Sequence, residues 1–355
     1  MRWLKFALIA LVSLGIFLGV FMLRGQESKA ATCEYHEAAY ETLDPEALEQ
    51  ELETTGLIGS IHGVAAPLNL AVLSIQEPGN FFHRQQFSLI PANESVKTTL
   101  NGLHRHDRVC IHGRATANAS PQPHLVIDAI DVLAAWPGLR DYPDYNYTAD
   151  FPADLENQTQ LIAKVHALAA EGKILVVEYQ DGVIPIFVER PTAAIANLYR
   201  GDIVELTYTI QRYPGQPTHL RLDTDAPEPV KVLDSLLAWH ETPHTLSGHL
   251  VKFPQSPQLK FDVYAIAVET QGIERTFTLI NFTDPDTFTA IRNKLAQIWD
   301  AQTETIISGR NALINPAITL EATGMVNIVS SAQANPQILL SGVEDIVLVK
   351  ETARP

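Results

Sequence analysis

Short runs rich in β-branched and aromatic residues recur along most of the chain, and each run is bounded by turn residues. Residues 173–180 and 183–189 are two such runs, joined by Asp181 and Gly182. An Asp-Gly pair between two β-rich runs is a strong hairpin signal, because these residues tolerate the positive φ angles of a tight turn. Similar paired runs occupy residues 69–90 and 260–282. The pattern therefore predicts three hairpins.

A helix-like stretch follows each predicted hairpin. It is clearest after residue 283, where Asp284 can cap a helix that begins at Pro285. Apolar residues of that segment share one helical face, at Phe288, Ile291, Leu295, Ile298 and Trp299. Shorter equivalents, and the two further strands predicted after each helix, occupy residues 94–101, 108–115 and 124–133, then 192–197, 203–210 and 218–223, and finally 305–311 and 317–327.

The same motifs return along the chain in the same order, which indicates internal repetition. The sequence LIGSIHGV at residues 57–64 is similar to LIAKVHAL at residues 161–168. A third, fainter copy begins near residue 241. The remaining matches pair residues 103–109 with 198–204, 124–128 with 219–223, 133–136 with 236–239, 110–114 with 306–310, and 123–128 with 316–321.

The order of strand, hairpin, helix and two strands resembles the OB-fold, a five-stranded, partly open barrel. The resemblance covers nearly all of residues 55–350. It implies three tandem OB-like five-stranded barrels, in a mainly β protein with short helices. In the complete prediction an N-terminal transmembrane helix, argued below from residues 1–24, precedes these barrels. A generic β-sandwich repeat is the alternative. The predicted segments are an anchor at 1–24, a helical spacer at 25–54, domain 1 at 55–136, a linker at 137–157, domain 2 at 158–240, domain 3 at 241–350 and a tail at 351–355.

The first 24 residues have the pattern of a membrane segment. Arg2 and Lys5 precede an uncharged run of 18 residues, 6–23. This run is longer than a signal-peptide core and reaches the lower limit for a spanning helix. An uncleaved anchor is therefore favoured, and a signal peptide cleaved after Ala30 is the alternative. Because the basic residues at the start favour the cytoplasmic side, we expect a single-pass membrane protein whose C-terminal part is extracytoplasmic, either periplasmic or extracellular.

The charge balance affects the choice of partners. The chain has 25 Lys and Arg residues against 41 Asp and Glu residues, a formal charge of −16. Nucleic-acid binding uses clustered cations, so the composition predicts no nucleic-acid partner. The expected partners are membrane or envelope proteins, together with the membrane itself through the N-terminal helix, and the oligomeric state is open.

One motif spells the zinc-protease pattern, at residues 240–244. That chemistry requires His240 and His244 one turn apart on a helix, with Glu241 activating a zinc-bound water. Pro243 disfavours helical geometry at this point, so we expect a helix over residues 230–240 to end there. The motif is therefore interpreted as an interdomain turn. The chain has no nucleophile elbow and no phosphate-binding loop, and it is predicted not to be an enzyme.

Histidines crowd the first copy. His104, His106, Cys110 and His112 lie in or just before a predicted strand, and imidazole with thiolate would suit zinc or copper. The second copy lacks this set, and no established ligand spacing supports it. Metal binding is therefore a minor hypothesis, and no cofactor is predicted. Cys110 and Cys33, the two cysteines of the chain, suit either one disulfide or two free thiols.

The OB-fold resemblance also implies where a ligand would bind. Such barrels usually bind through the face of strands two and three and the adjoining loops. On that basis Phe81, Phe82, Tyr213 and Phe253 are candidate aromatic contacts, with loop anchoring as the alternative role. His62 and His166 occupy the same place in the repeated first strand, so they are interpreted as structural.

Three functional hypotheses follow from these observations. The leading one is a non-enzymatic, membrane-anchored extracytoplasmic protein that presents three barrels for protein–protein interaction or envelope assembly. The second is a module that binds an oligosaccharide or another small ligand. The third, a histidine-rich metalloprotein or hydrolase, has the least support because it depends on the histidine positions alone.

Overall fold

The structure is a computed structural model. Within the ranges that it describes, no helix is long and apolar enough to cross a membrane. The predicted anchor, the predicted tail at 351–355, Cys33 and three candidate aromatic residues, Phe81, Phe82 and Tyr213, lie outside those ranges. The described residues are 45–76, 84–116, 123–139, 142, 150–180, 182–212, 218–256, 259–270, 272–309, 312–329 and 334–349.

Barrel 1 closes in the strand order β1-β2-β3-β5-β4. Strands β3 and β5 run parallel, and the other neighbouring strands are antiparallel. Its inner face holds one hydrophobic core cluster. The elements are α1 (Pro45–Glu53), β1 (Leu57–Ala65), β2 (Leu70–Gln76), β3 (Arg84–Pro91), α2 (Glu94–Asn101), β4 (Arg108–Thr116) and β5 (His124–Ala134).

Barrel 2 repeats this order as β6-β7-β8-β10-β9, because β9 pairs with both β6 and β10. Strands β8 and β10 are parallel, as β3 and β5 are in barrel 1. An extra strand, β11, extends the sheet along β9. The elements are β6 (Gln160–Ala169), β7 (Ile174–Tyr179), β8 (Gly182–Phe187), α3 (Ala193–Ala196), β9 (Ile203–Gln211), β10 (His219–Leu222) and β11 (Val230–Asp234).

Barrel 3 has the order β12-β13-β14-β17-β16, and β16 also pairs with β12. Strands β14 and β17 are parallel. Two short strands, β15 and β18, pair with the long strand β16. The elements are β12 (Pro243–Phe253), β13 (Val263–Thr270), β14 (Ile273–Ile280), α4 (Pro285–Asp300), β15 (Ile307–Ser308), β16 (Leu313–Asn327), β17 (Gln337–Leu339) and β18 (Ile346–Leu348).

This shared strand order is that of the OB-fold, so the predicted fold-level resemblance is confirmed. The protein is mainly β with a few helices. The helix predicted from residue 285 is also present: the Asp284 carboxylate accepts hydrogen bonds from the backbone N–H groups of Asp286 and Thr287, which would otherwise be unpaired at the helix start.

The turn before the fourth strand of barrels 1 and 2 is built in the same way. In barrel 1, the buried carboxylate of Asp107 accepts hydrogen bonds from the backbone N–H groups of His104 and Trp136, each at 2.8 Å. In barrel 2, the buried carboxylate of Asp202 accepts from Tyr199 at 2.8 Å and from Leu236 at 3.3 Å. Each aspartate therefore ties the start of strand four to the segment that follows the fifth strand.

Two predicted elements are wrong. Residues 230–240, expected as a helix, form β11 and a separate 3₁₀ turn at Leu236–Trp239, because pairing with β9 satisfies the backbone of residues 230–234. Residues 317–327, expected as the fifth strand of barrel 3, belong to its fourth strand, β16. The fifth strand is β17, beyond the predicted region, and among residues 305–309, the part of the predicted fourth strand that the structure describes, only Ile307–Ser308 (β15) form a strand.

Two segments outside the barrels are packed against them. Leu48 and Leu52 of α1, which was predicted as part of a spacer, are buried in the core cluster of barrel 1. In the predicted linker, Leu155 is buried in the cluster of barrel 2, and its carbonyl accepts a 2.7 Å hydrogen bond from the Tyr208 hydroxyl. Leu139 is buried in the cluster that contains the core of barrel 3.

The junction between barrels 1 and 2 is apolar. Leu68, Leu70, Ile90 and Val126 of barrel 1 are buried in one cluster with the core of barrel 2. Burial of side chains of this size stabilises a contact by roughly 1.5–3 kcal/mol each. The approach is close, because a Cβ atom added at Gly182 would lie 2.8 Å from Cγ of Pro67.

A buried arginine forms the junction between barrels 2 and 3. Arg275 on β14 is 1% exposed. Its Nε donates to the Gly201 carbonyl at 2.8 Å, and its Nη2 pairs with the Asp234 carboxylate at 2.5 Å. A cation this deeply buried is stable only when its donors are paired. The bonds to Gly201 and Asp234 therefore hold the β13–β14 hairpin of barrel 3 in place on barrel 2.

Candidate ligand groove

Two clefts meet on the outer face of barrel 2. The cleft between barrels 2 and 3 has a volume of about 650 Å³, and the cleft between barrels 1 and 2 has a volume of about 240 Å³. His166, Val183 and Arg200 line both of them. We call the two clefts together the central groove. It runs over strands β6, β7 and β8, which are the first three strands of the second OB-like barrel.

A charged triad lies on the barrel 2 wall of the groove. The Glu178 carboxylate on β7 contacts Nδ1 of His166 and Nζ of Lys164, both on β6, at 2.7 Å each. Lys164 and Glu178 are directly opposite each other in the ladder, and His166 occupies a β-bulge between Val165 and Ala167. A bulge redirects the side chain of its extra residue, and here this brings the imidazole to the carboxylate of Glu178.

The electrostatics of this triad fix its protonation. Burial alone would raise the pKa of Glu178, but the hydrogen bond from His166 and the charge of Lys164 outweigh burial and lower it to about 2. Burial lowers the pKa of His166, and the nearby Arg200 lowers it further. At neutral pH the glutamate is therefore ionised and the imidazole is neutral, with its Nδ1–H donated to the carboxylate.

Arg200 differs from the triad because no carboxylate among the described residues forms an ion pair with it. It lies in the turn before β9 and lines both clefts. Burial lowers its pKa, and Glu178 only partly opposes that effect. In the portion of the chain that the structure describes, no hydrogen bond or ion pair engages its guanidinium. The turn that carries it is rigid, since Asp202 and Arg275 bond the residues on either side.

The barrel 3 wall of the groove is largely apolar. Phe253, the only one of the four candidate aromatic residues inside the described ranges, lines it from the end of β12 and packs on a small cluster that includes Val251. Ile273 and Ile314 line the same cleft. Lys164 also donates to the Glu274 backbone carbonyl, and that bond joins the two walls.

The candidate metal residues of barrel 1 do not converge on one point. Cys110 is disulfide-bonded, so its sulfur offers no thiolate; it lies 3.8 Å from Nε2 of His112. His106 packs edge-on against Trp136, and burial lowers its pKa to about 4. His104 instead lines the smaller cleft of the groove. No group of three or more metal-ligating side chains is formed by the residues that the structure describes.

Residues 240–244 are not helical. The 3₁₀ turn ends at Trp239, Glu241 has a φ of 56°, and Pro243 begins β12. Nδ1 of His240 accepts the backbone N–H of Ile328 at 3.1 Å. The His244 ring stacks on Trp239 with centroids 4.5 Å apart. The motif therefore does not present two histidines on one helical face.

Sequence reasoning did not identify Lys164, Glu178 or Arg200. A signal for the first two was available, because Ser60 and Ser74 occupy the opposed positions in barrel 1 where barrel 2 has Lys164 and Glu178. Counting the hairpin register in both copies reveals this difference. Arg200 has the counterpart Arg105 in the repeat, and repetition concealed its role.

Comparison with known proteins gives little beyond the fold. No family model matches the chain, and no curated protein matches it. Among solved structures, a tetrameric p202 HIN2 domain is 9% identical and covers 46% of this chain and 81% of its own, with a TM-score of 0.18. A murine DNA-binding protein bound to double-stranded DNA is 11% identical, and the match covers 51% of this chain and 99% of that protein, with a TM-score of 0.18. The Drosophila Unr CSD456 structure is 8% identical, and the match covers 84% of this chain and 99% of that structure, with a TM-score of 0.15.

These matches correct one prediction. Two of the similar structures hold double-stranded DNA, the murine protein and an Ifi202 HINa domain in complex with a 20-bp duplex. The prediction that excluded nucleic acid as a partner is therefore wrong. The physical reason is that net charge describes a whole chain, whereas binding depends on the local potential. The bound DNA belongs to those proteins, and it does not show that this chain binds DNA.

Proposed function

We propose that this chain is a non-enzymatic binding protein, anchored in a membrane through residues 1–24, whose extracytoplasmic barrels hold a segment of a partner protein in the central groove. The observation that carries the proposal is the groove itself. All three barrels contribute to it, and it runs over the strand face through which OB-like barrels usually bind.

The rigidity of the assembly supports this proposal. The apolar junction fixes barrel 1 on barrel 2, and the bonds of Arg275 to Gly201 and Asp234 fix barrel 3. A groove whose walls are already held in place loses little conformational entropy when a ligand enters. The architecture is therefore well suited to holding a partner.

The chemistry of the groove favours binding over catalysis. A carboxylate with a pKa near 2, such as that of Glu178, is a weak base at neutral pH. A histidine–carboxylate pair also orients catalytic imidazoles, but that arrangement needs a nucleophile on the other ring nitrogen. Within the described part of the chain, no Ser, Thr or Cys side chain is hydrogen-bonded to His166.

A small ligand is a second candidate. The cleft between barrels 2 and 3, at about 650 Å³, lies within the usual range of small-molecule sites. Phe253 gives it an aromatic surface on which a sugar ring or another flat apolar group can pack. This candidate and the protein partner differ in what a cross-linker placed in the groove would capture.

The test is site-specific photo-cross-linking in intact membranes. A photoreactive amino acid is placed at Val183 in the groove, and at Glu344, an exposed residue outside it, as a control. The proposal predicts a discrete, protease-sensitive adduct from position 183 alone. Equal adducts at both positions, or none at position 183, would overturn it. A small adduct that resists protease would instead establish the second candidate.

A further inference from the structure

Arg200 is a basic side chain that lines both clefts of the central groove. We infer that the central groove receives an acidic side chain or terminal carboxylate of a peptide segment, and that the Arg200 guanidinium is its receptor. This inference rests on the proposed function, since it takes the ligand to be a polypeptide.

The first argument is electrostatic. Arg200 is half-buried, and a cation that has lost part of its hydration is stabilised when an anion or hydrogen-bond acceptors replace that water. The charge of Glu178 acts on Arg200, but His166 and Lys164 already bond the two oxygens of that carboxylate. Arg200 therefore has an incomplete set of partners among the described residues, and an incoming carboxylate would complete it.

The second argument is geometric. Arg200 lies where the two clefts meet, so its guanidinium is accessible to a ligand lying along either one. Its planar donors match a carboxylate in a bidentate pair, which a lysine cannot reproduce. Lys164 is committed to Glu178 and to the Glu274 carbonyl. Arg105 also lines the smaller cleft, but Arg200 is the arginine that lines both clefts.

The third argument concerns the surroundings. The walls on either side of Arg200 are lined by apolar side chains, including Val183, Phe253 and Ile314. A guanidinium that lies beside apolar surfaces suits a ligand with an acidic group between apolar groups. An extended peptide with alternating apolar and acidic side chains meets that requirement, because neighbouring side chains of a strand point to opposite sides.

The probe is a fluorescein-labelled peptide of about ten residues in which valine and aspartate alternate, titrated with the full chain in detergent micelles and followed by fluorescence anisotropy. A matched peptide has asparagine in place of aspartate. We expect the aspartate peptide to bind and the asparagine peptide to bind at least about tenfold more weakly, the usual loss when a charge-assisted hydrogen bond is removed.

Variants of the chain locate the effect. Arg200→Gln should weaken binding of the aspartate peptide about tenfold. Arg200→Lys should restore only part of the lost affinity, because lysine lacks the planar guanidinium that forms a bidentate pair. Arg212→Gln is the matched control: it removes the same charge from an exposed arginine that pairs with Glu156 outside the groove. The melting temperature of Arg200→Gln should equal or exceed that of the wild type, since it removes an incompletely paired cation.

The outcomes separate the two proposals. If Arg200→Gln binds the aspartate peptide as tightly as the wild type, the inference is wrong. It is also wrong if a labelled DNA duplex or single strand competes with the peptide and binds more tightly in an Arg200-dependent way. A protein adduct at Val183 that survives the Arg200→Gln change would leave the proposed function standing without the acidic ligand.

Discussion

Barrels 1 and 2 are copies of one design, and their differences are more informative than their shared features. Asp107 and Asp202 close the same turn through the same kind of backbone hydrogen bonds. His62 and His166 both occupy a bulge in the first strand. The shared aspartate turn and the shared bulge are therefore sufficiently explained by the fold.

The groove chemistry is where the copies diverge. The opposed pair of residues beside the bulge is Ser60 with Ser74 in barrel 1, but Lys164 with Glu178 in barrel 2. In barrel 2 the bulged histidine meets a carboxylate from the second strand, whereas Leu70–Gln76, the second strand of barrel 1, contains no acidic residue. Because the barrel closes in either case, the ion pair is not required by the fold. The fold therefore accounts for the shared aspartates, whereas the Lys164–Glu178 pair is specific to barrel 2.

The largest effect should come from the shared aspartates. Replacing Asp107 or Asp202 by Ala leaves two buried or part-buried backbone N–H groups without their acceptor, so each change should lower the free energy of unfolding by about 3 kcal/mol. Urea denaturation measures this, with Asp225→Ala, an exposed aspartate, as the control. If one aspartate proved dispensable, the two turns would not be equivalent and the comparison would fail.

An intermediate effect is expected on acidification. His124 and His219, at matching positions of the repeats, stack on each other with centroids 5.7 Å apart. Burial, and then the charge of His219, lowers the pKa of His124 to about 4. Between pH 6.5 and 4 the unfolded chain binds a proton at this site that the folded chain does not, so stability falls as the pH falls.

The His124→Phe variant, which keeps a stackable ring, should lose about 2 kcal/mol less than the wild type when the pH is lowered from 7 to 4.5. The measurement is the free energy of unfolding at both pH values. His106, whose pKa is also lowered to about 4, contributes to both proteins and cancels in the difference. An unchanged pH dependence in the variant would show that His124 is not kept neutral at the junction.

The smallest effect should come from exchanging the unshared pairs. Lys164→Ser with Glu178→Ser gives barrel 2 the residues of barrel 1, and Ser60→Lys with Ser74→Glu does the reverse. Each double change should alter the free energy of unfolding by only about 0.5 kcal/mol, because partly exposed ion pairs contribute little. A loss several times larger in the first exchange would make the triad a structural feature.

Local signals in the sequence predicted much of the fold. The hairpin at Asp181 and Gly182 and the capped helix from Asp284 were both visible, because turn and cap chemistry depends on neighbouring residues. The structure of segment 230–240 was not visible in the sequence, because its apolar pattern fits either a helix or a strand. Pairing with β9 makes residues 230–234 a strand. The strand β16 was predicted only from residue 317, so its first four residues were missed.

The site was less predictable than the fold. Arg200 acquires its significance from two clefts that form only when three barrels pack together, and no local pattern encodes that arrangement. Tandem repeats make this harder, because a residue present in every copy is readily dismissed as structural. Phe253 was found because the OB-fold resemblance indicates which strand ends are used, and its role as a ligand contact stays a prediction.

The burial of Leu139 with the core of barrel 3 affects the order in which the chain can be completed during synthesis. Leu139 is made before barrel 2, yet the surface that covers it is made last. A nascent chain emerging from its N-terminus therefore holds an uncovered apolar segment until barrel 3 has emerged. Barrel 1 has a core cluster of its own, so we expect it to fold early, and we expect the segment around Leu139 to dock only when barrel 3 folds.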